Sequence, residues 1–293
     1  MNALSNALLS TLFIDAGNTR IKWALLDDPI APSATPSVPT WSACGSVTHA
    51  NMAELPVAWS NARALKRSTK LHALISNVAG SAMRLHLEKL LTETFGADVT
   101  VTWFASEPQL AGIRNAYRDP TQLGCDRFAT AIAAHYLFPQ QTLLVVTCGT
   151  ATTIDAISEH GVFVGGMILP GLGTMASSLA RNTAQLPLPS ETDYLGIAAH
   201  FADNTDDAIV SGCIIAQVGA IEHAITLQER HLLRMPQMTT DNVTCILAGG
   251  AANYIAPHLS HSYEIVDNLV LIGLALVALK TAPITSTSTE IPR

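Results

Sequence analysis

Two short turns rich in glycine and in small polar side chains follow apolar segments at distant points of the chain. The first comprises Asp15, Gly17, Asn18 and Thr19, and the second comprises Gly149, Thr150, Thr152 and Thr153. Glycine lets backbone N–H groups approach a phosphate closely, and Asn or Thr adds short donors without bulk. Each turn alone is typical of an ordinary β-hairpin with a solvated tip, but the presence of two favours a phosphate-binding site.

Asp15 stands where the first apolar segment enters its turn, in the stretch FIDAGNTRIKWAL. A carboxylate there could hold Mg²⁺ directly or through water, because Mg²⁺ takes hard oxygen ligands. The sequence contains no GxxxxGK[ST] motif, so a P-loop is excluded. GLGTMA at 171–176 imitates a dinucleotide-binding turn. No acidic residue closes a second strand about twenty residues later, so we expect a helix-capping loop there.

A third polar cluster, IRNAYRDPTQLGCDRF at 113–128, leads into an alanine-rich helical pattern. Asp126 stands at the expected start of this helix, where the helix dipole favours a carboxylate. One interpretation is a plain N-terminal acid beside a solvated arginine. The other makes Asp126 a general base and Arg127 an anchor for an anionic substrate group, since the planar guanidinium matches a carboxylate.

The composition narrows the class of protein and its partners. Of the 293 residues, 48% are hydrophobic and 13% are charged, which suits a sizeable core and two domains and is unlike a disordered chain. The net charge is −7 and no basic run is present, so we expect neither nucleic acid nor a membrane as a partner.

Three features favour a cytoplasmic protein. Five scattered cysteines form neither a zinc pattern nor a disulfide framework, as is typical of a reducing compartment. The stretch MNALSNALLSTLF lacks the basic region of a signal peptide. The apolar run LVLIGLALVAL at 269–279 is too short to span a bilayer.

Apolar periodicity predicts an α/β chain that starts again at residue 143. A hairpin is predicted over 12–27 and a strand–turn–strand over 143–158, with further strands at 71–79, 99–104, 161–171 and 243–250 and helices at 53–67, 81–95, 127–138, 172–182, 206–230 and 269–280. The second glycine turn follows the first after 132 residues, which suggests two similar domains with both turns in the cleft between them. The proline-rich segment 29–40 is predicted to be a solvated loop.

Six motifs carry a resemblance to a known family. DAGNTRIKW, NAYRDPTQLGCDR, GTATTID, GGMILPG, NTAQLP and LAGGAA occur in the same order as in type III pantothenate kinases. The match runs from about residue 12 to residue 280, and its most specific part is LGCDR at 123–127 followed by GTATTID at 149–155. The chain therefore resembles that family over nearly its whole length.

The resemblance implies an α/β fold of two ribonuclease-H-like domains, as in actin-like ATPases, with a nucleotide cleft between them. Residues 1–140 would form the N-terminal domain and residues 141–293 the C-terminal domain. The implied reaction transfers the γ-phosphate of ATP to the primary hydroxyl of pantothenate, the first step of coenzyme A synthesis. The resemblance also implies Mg-ATP as cofactor and a homodimer that holds pantothenate at the subunit interface.

The site residues of the family carry over by motif onto this sequence. The position of the catalytic aspartate is Asp126. The ATP- and phosphate-binding positions are Asp15, Gly17, Asn18, Thr19, Lys22, Gly149, Thr150, Thr152, Thr153, Gly249 and Gly250, with Asp15 on the magnesium side. The pantothenate-binding positions are Tyr117, Gly124, Cys125, Asp126, Arg127 and Thr205, and Thr205 is expected to reach pantothenate from the partner subunit.

One position departs from the family pattern. Where the family typically has the aspartate of a DxGTATT pattern, this chain has Thr147. The resemblance associates that aspartate with a bound monovalent cation, K⁺ or NH₄⁺. Because a threonine offers only a neutral oxygen, we expect the cation site to be weakened or absent and activity to depend less on K⁺.

Two other functions stay open on the sequence alone. Proteins of this family have also been described as accessory factors in toxin regulation, so the chain could be a nucleotide-binding regulator with little catalysis. The presence of Asp15, Asp126 and Arg127 argues against that. A kinase of the same superfamily could act on another small alcohol or acid, because superfamily membership does not fix the substrate. The NAYRDPTQLGCDR stretch favours pantothenate.

Overall fold

The computed structural model describes residues 10–27, 36–63, 70–189, 201–233 and 243–281. The strands are β1 (Ser10–Ala16), β2 (Arg20–Leu26), β3 (Ala43–Thr48), β4 (Leu71–Asn77), β5 (Val99–Trp103), β6 (Gln109–Leu110), β7 (Ile113–Asn115), β8 (Thr142–Cys148), β9 (Ala151–Ile157), β10 (Val162–Pro170), β11 (Val243–Ala248) and β12 (Tyr263–Ile265). The helices are α1 (Leu55–Arg63), α2 (Ser81–Phe95), α3 (Cys125–Leu137), α4 (Leu172–Asn182), α5 (Thr205–Leu232), α6 (Ala252–Ile255) and α7 (Leu269–Thr281). Short 3₁₀ helices are His49–Glu54, Gly96–Asp98, Pro120–Gln122 and Ala256–His258.

Two mixed sheets repeat one strand order. The first sheet has the order β3-β2-β1-β4-β5, and the second has β12-β11-β8-β9-β10-β7-β6. Strands β8 to β12 therefore occupy the places of β1 to β5, and β7 and β6 extend the second sheet at one edge. Both repeats begin with an antiparallel hairpin and continue with a parallel neighbour, β4 or β11. The repeat that the glycine turns suggested is present in the topology.

Helices form three layers around the two sheets. Helices α1 and α2 cover the outer face of the first sheet, and α4, α5 and α6 cover the outer face of the second. Helices α3 and α7 lie between the sheets, in a core that includes Phe13 of β1 and Val145 of β8. Leu12 and Val146, one residue away, point to the outer cores instead. Since both faces of β1 and β8 are covered, both strands are nearly continuous apolar runs.

The apolar run at 269–279 forms the central helix α7. Residues 271–277 are all buried, as expected for a helix that is apolar on every side. The helix packs closely on α3, because a Cβ at Gly273 would overlap the backbone of Ala129. The final helix thus forms part of the core beneath the first two strands of the chain.

Helix α5 has the length and composition of a membrane span. It is the one helix in the described residues with this property, and more than half of its most apolar window is buried inside the fold. Ile214 and Ile221 pack into the core on the outer face of the second sheet. A core helix of a globular protein passes the same test of length and hydropathy, so this property is weak evidence for a membrane span.

Within the described ranges, the predicted strands and helices are present and four further strands were not predicted. Strand β3 contains only one large apolar residue, and its pairing with β2 rather than its own pattern makes it a strand. Strands β6, β7 and β12 are two or three residues long, too short for periodicity to show. Residues 29–35 of the proline-rich segment and residues 64–67 of the first predicted helix lie outside the described residues.

Elements from each half of the chain join the other half. Strands β6 and β7 precede residue 140 but pair in the second sheet, and α7 packs against β1 and β4 of the first sheet. The division of the chain into domains at residue 140 stays a prediction.

Candidate active site

The two glycine turns meet in space. Gly17, Asn18 and Thr19 connect β1 to β2, whereas Gly149 and Thr150 connect β8 to β9. The hydroxyl oxygens of Thr19 and Thr150 lie 2.6 Å apart, within hydrogen-bond distance. The tertiary structure therefore brings together two polar segments that the sequence places more than a hundred residues apart.

The N–H groups of the two turn glycines are used inside the turns, and several polar side chains of the turns are exposed. The N–H of Gly17 donates to the carbonyl of Arg20 and that of Gly149 to the carbonyl of Ala151, each at 3.1 Å. Both glycine N–H groups are therefore used within the turns. In the first turn Asn18 and Thr19 are exposed, and in the second Thr150 is exposed, Thr152 is buried and Thr153 is half-buried.

The backbone of the first turn is contacted by a histidine that the sequence did not predict. His49 Nε2 lies 2.9 Å from the carbonyl oxygen of Gly17, at hydrogen-bond distance. His49 follows β3, which was itself not predicted, and no local pattern connects it with the turn. Only the pairing of β3 with β2 brings this ring beside the glycine turn.

Gly249 and Gly250, the two glycines predicted to lie near the adenosine, are beside the second turn. Gly249 and Gly250 follow β11, which runs parallel to β8, and the N–H of Ala251 donates to the carbonyl of Cys148 at 3.1 Å. Gly249 has a φ of 93°, and a Cβ there would overlap the backbone of Cys148. Glycine is therefore required at 249 both for the backbone conformation and for the close approach. Gly250 is exposed and has open space around its Cα.

Asp15 lies at the root of the first turn, directly opposite Lys22 across β1 and β2. Burial raises the pKa of Asp15 to about 7, the charge of Asp126 acts in the same direction, and that of Lys22 acts in the opposite direction. The two carboxylates are thus close enough to repel each other, which a divalent cation would relieve. In the part of the chain described, no three His, Cys, Asp or Glu side chains form a metal cluster. Mg²⁺, which keeps several waters and phosphate oxygens as ligands, fits such a site.

Asp126 lies in the first turn of α3. Its Oδ1 accepts the backbone N–H of Arg127 at 2.8 Å. A Cβ at Gly124 would stand 2.7 Å from this oxygen, so glycine at 124 leaves room for the carboxylate. Burial raises the pKa of Asp126, and the backbone N–H and the charge of Arg127 oppose that shift. A carboxylate with a raised pKa is a better proton acceptor than an exposed one.

The neighbours of Asp126 attach the start of α3 to both sheets. Cys125 Sγ lies 3.3 Å from Ser76 Oγ, near the end of β4 in the first sheet. The guanidinium of Arg127 forms an ion pair with Asp155 of β9 in the second sheet. Cys125, which the resemblance places among the pantothenate contacts, thus has a contact that connects α3 to the first sheet.

Arg127 is buried, so the interpretation of a solvated arginine beside Asp126 is wrong. Only 7% of the surface of Arg127 is exposed, and its Nη1 donates to the hydroxyl of Tyr117 at 3.0 Å. The structure thus joins Tyr117 and Arg127, both predicted to contact substrate. Asp155 was not predicted, although an acid inside the apolar strand ATTIDAI was a signal that could have indicated a buried ion pair.

Two predicted residues lie apart from this cluster. Thr205 is the first residue of α5 and lines a cleft of about 890 Å³ between α4 and α5, together with Pro170 and Thr174. Thr147 lies near the end of β8, and its cross-strand neighbours are Thr153 on β9 and Ala248 on β11. Both neighbours are uncharged, so neither supplies the charge that a carboxylate at 147 would provide.

Comparisons with known proteins agree with the family that the motifs indicate. The type III pantothenate kinase family model matches residues 11–227. A type III pantothenate kinase of Janthinobacterium sp. (strain Marseille) is 54% identical over 274 residues, covering 93% of this chain and 98% of the relative. The type III pantothenate kinase of Herminiimonas arsenicoxydans is 52% identical over 272 residues, with the same coverage of 93% and 98%.

Solved structures share the fold at much lower identity. A Campylobacter jejuni protein provisionally assigned to the Baf family of transcriptional activators has a TM-score of 0.54 and 19% identity, covering 92% of this chain and 98% of its own. A provisionally assigned 2-dehydro-3-deoxygalactonokinase of Sinorhizobium meliloti has a TM-score of 0.51 and 14% identity, covering 96% of this chain and 100% of its own. At these identities the likeness shows the fold alone, and it confirms the predicted α/β class.

We expect Asp15→Asn to stabilise the metal-free protein clearly more at pH 8 than at pH 5. An acid with a raised pKa binds its proton more tightly in the folded state. Wild type therefore loses stability as the pH rises from about 4 to about 7, and an asparagine does not titrate. Urea unfolding with EDTA at both pH values measures the difference, which is on the order of a few kcal/mol at pH 8.

The control is Glu107→Gln, which removes an exposed acid outside the cleft. An Asp15→Asn effect of equal size at pH 5 and pH 8 would contradict the raised pKa.

Proposed function

The chain belongs to the type III pantothenate kinase family and phosphorylates pantothenate with ATP in coenzyme A biosynthesis; from this premise we propose that the cleft around Asp126 is its active site. The observation that carries the proposal is the contact between Thr19 and Thr150. It joins the two glycine turns beside Asp15, whose charge interacts with that of Asp126. Phosphate-binding turns and a catalytic acid are thereby gathered in one cleft.

The phosphates of ATP lie, in this proposal, between the two glycine turns. Asn18, Thr19 and Thr150 are the exposed donors on either side. Gly249 and Gly250 follow the strand beside the second turn, which supports a position next to the adenosine. Lys22, opposite Asp15, adds a positive charge at the root of the first turn. Glycine-bordered hydroxyl and amide donors of this kind can bind phosphate without the bulk of a longer side chain.

Asp15 is the protein ligand proposed for the magnesium ion that accompanies ATP. Burial and the charge of Asp126 both disfavour the ionised form of Asp15, and a bound cation would offset both effects. When bound, Mg²⁺ supplies neutralisation of the charge on the phosphate oxygens. Its remaining ligands would be phosphate oxygens and water.

Asp126 is the catalytic residue in this proposal. Its carboxylate, oriented by the N–H of Arg127, accepts a hydrogen bond from the primary hydroxyl of pantothenate. As the oxygen of that hydroxyl bonds to the γ-phosphorus of ATP, the bond from the γ-phosphorus to ADP breaks. The proton passes late to Asp126, because an ordinary carboxylate cannot deprotonate an alcohol in the ground state. Positioning and charge neutralisation supply most of the rate.

Arg127 and Tyr117 are the residues proposed to hold the anionic end of pantothenate. The guanidinium and the phenol are hydrogen-bonded to each other at 3.0 Å, beside the catalytic carboxylate in the sequence. A guanidinium N–H and a phenolic hydroxyl are both suitable donors to a carboxylate. Gly124 and Cys125 precede Asp126 and stay predicted substrate contacts.

The active form is proposed to be a homodimer with pantothenate at the subunit interface. Support comes from apolar side chains that are open to solvent on β10 and near α5: Ile168 is 66% exposed and Phe201 is 97% exposed. Large exposed apolar surfaces of this kind mark interaction sites. Thr205 lies in the cleft between α4 and α5, four residues after Phe201 in the chain, and is proposed to reach the substrate of the partner subunit from there.

The cytoplasm is the proposed location of the enzyme. All five cysteines are free thiols in the structure, and three of them, Cys148, Cys213 and Cys245, are buried. Unpaired buried thiols are typical of a reducing compartment. The net charge of −7 supports neither a nucleic acid nor an anionic membrane as a partner.

We expect Asp126→Asn to lower kcat by about a thousandfold, because proton acceptance by a positioned base contributes roughly 10²–10⁴-fold. Binding of Mg-ATP should change little, since the substitution leaves both glycine turns intact. A coupled assay of ADP release and calorimetry of Mg-ATP binding measure the two effects. Asp98→Asn, at an exposed acid after α2, is the control. Near-normal turnover of Asp126→Asn would remove Asp126 from the catalytic role.

We expect ADP release to depend on pantothenate and to proceed at similar rates in K⁺ and Na⁺ buffers. Thr147 and its cross-strand neighbours carry no charge to hold a monovalent cation. Thr147→Asp restores a carboxylate at this position and is expected to introduce a preference for K⁺. Strong activation of the wild type by K⁺ over Na⁺ would show that another group holds the cation.

A mixed dimer tests whether Thr205 completes the site of the partner subunit. Thr205→Ala and Asp126→Asn are each expected to lower activity as homodimers. When the two are co-expressed, one site of the mixed dimer contains both Asp126 and Thr205, so about half of the wild-type activity per mixed dimer should return. Activity no higher than that of the separate proteins would place Thr205 in its own subunit's site or outside the site.

A further inference from the structure

Asp155 is a buried acid whose two oxygens are bound by one edge of a single guanidinium. It is 2% exposed, in a strand whose Ile154 and Ile157 are buried in the cores. Arg127 Nε lies 3.1 Å from Oδ1 and 3.2 Å from Oδ2, and Arg127 Nη2 also donates to Oδ1. Burial raises the pKa of Asp155, and the hydrogen bonds from Arg127 oppose that shift.

The opposite edge of the same guanidinium is held by aromatic side chains. Arg127 Nη1 donates to the Tyr117 hydroxyl at 3.0 Å. The guanidinium carbon lies 5.8 Å from the centre of the Tyr117 ring and 5.6 Å from that of Phe163. The two rings meet edge to face, with centres 5.7 Å apart. These contacts fix the plane of the guanidinium and leave one N–H on each Nη for another acceptor.

Gly166 gives the ion pair its space. It stands directly opposite Asp155 across β9 and β10 and is exposed. A Cβ at 166 would overlap Asp155 Oδ1 and would come within 2.5 Å of Arg127 Nη2. Any side chain at 166 would therefore displace the ion pair. Because glycine has no side chain, the pair lies close to the surface of β10.

We propose that Asp155 is a positioning residue: it fixes one edge of the Arg127 guanidinium so that the N–H beside the Tyr117 hydroxyl meets the carboxylate of pantothenate. The inference rests on the proposed role of Arg127 as the substrate anchor. A guanidinium already held in one orientation loses little rotamer freedom on binding, which favours affinity and selectivity for the planar carboxylate.

A merely structural role of Asp155 makes a different prediction. The ion pair also attaches α3 to the second sheet, so its loss could displace Asp126 and slow phosphoryl transfer for every substrate. The proposed role instead affects only substrates that carry the carboxylate, mainly through KM. Selectivity between a carboxylate and a neutral substrate therefore separates the two roles.

The experiment compares pantothenate with pantothenol, in which a hydroxymethyl group replaces the carboxylate and the phosphate-accepting hydroxyl is unchanged. The ratio of the two kcat/KM values is measured for wild type, Arg127→Gln, Asp155→Asn and the double variant. Wild type should favour pantothenate by about 10- to 100-fold, the worth of charge-assisted hydrogen bonds. Each single variant and the double variant should lose most of that preference, mainly through a raised KM for pantothenate.

The outcomes separate this inference from the function on which it rests. If Arg127→Gln keeps the wild-type ratio, Arg127 is not the anchor and both proposals fail. If Arg127→Gln loses the ratio but Asp155→Asn keeps it, only the positioning role fails. Equal losses of kcat for both substrates in Asp155→Asn would also overturn it. The double variant contains no unpaired buried charge, so it reports on the loss of Arg127 even where Arg127→Gln unfolds, and Gly166→Ala reports on the ion pair where Asp155→Asn unfolds.

Two matched controls complete the experiment. Glu88→Gln breaks an Arg–carboxylate pair, Arg84–Glu88 at 3.2 Å, on the surface of α2, and it should keep the wild-type ratio. Gly166→Ala should reproduce the loss of selectivity seen with Asp155→Asn. Gly219→Ala, at a helical glycine with open space around it, should not.

Discussion

The buried ion pair between Arg127 and Asp155 is the interaction on which the arrangement of the site depends. It attaches the first turn of α3 to β9 of the second sheet, and the contact of Cys125 with Ser76 attaches the same turn to the first sheet. Asp126 lies between these two attachments. Removing one partner of a buried pair typically costs about 3–5 kcal/mol, because the other charge is left unpaired in a medium of low polarity. The first turn of α3 thus contacts both sheets, and the ion pair sets the orientation of the Arg127 guanidinium within it.

Electrostatics disfavours the ionised form of Asp15 in the protein without a bound metal. Asp15 and Asp126 lie near each other, and the charge of Arg127 is largely committed to Asp155. The positive charge of Lys22 lowers the pKa of Asp15 and so partly offsets the effects that raise it. In the proposed function a bound divalent cation would offset the cost of ionising Asp15, which suits this residue to the role of magnesium ligand.

The duplicated topology explains why the site lies between the sheets. Each sheet begins with a hairpin whose turn contains glycine, and α3 and α7 hold the two sheets together from within. The turns of both hairpins consequently meet, with the hydroxyls of Thr19 and Thr150 2.6 Å apart. Steric crowding accounts for two further glycines of the second half of the chain, because a Cβ at Gly166 or Gly249 would overlap neighbouring atoms.

The sequence by itself determined the family, the apolar strands and helices, and most of the polar residues now found in the cleft, because these properties depend on local spacing and on contiguous motifs. Even Asp155 lay inside a recognised motif, but its partner did not follow from any spacing. Only the tertiary structure decided that Arg127 is buried against Asp155 rather than solvated, that His49 supports the first turn, and that α7 returns beneath the first sheet. These are contacts between segments far apart in the chain, and their partners are fixed by how the sheets and helices pack, which no local pattern encodes.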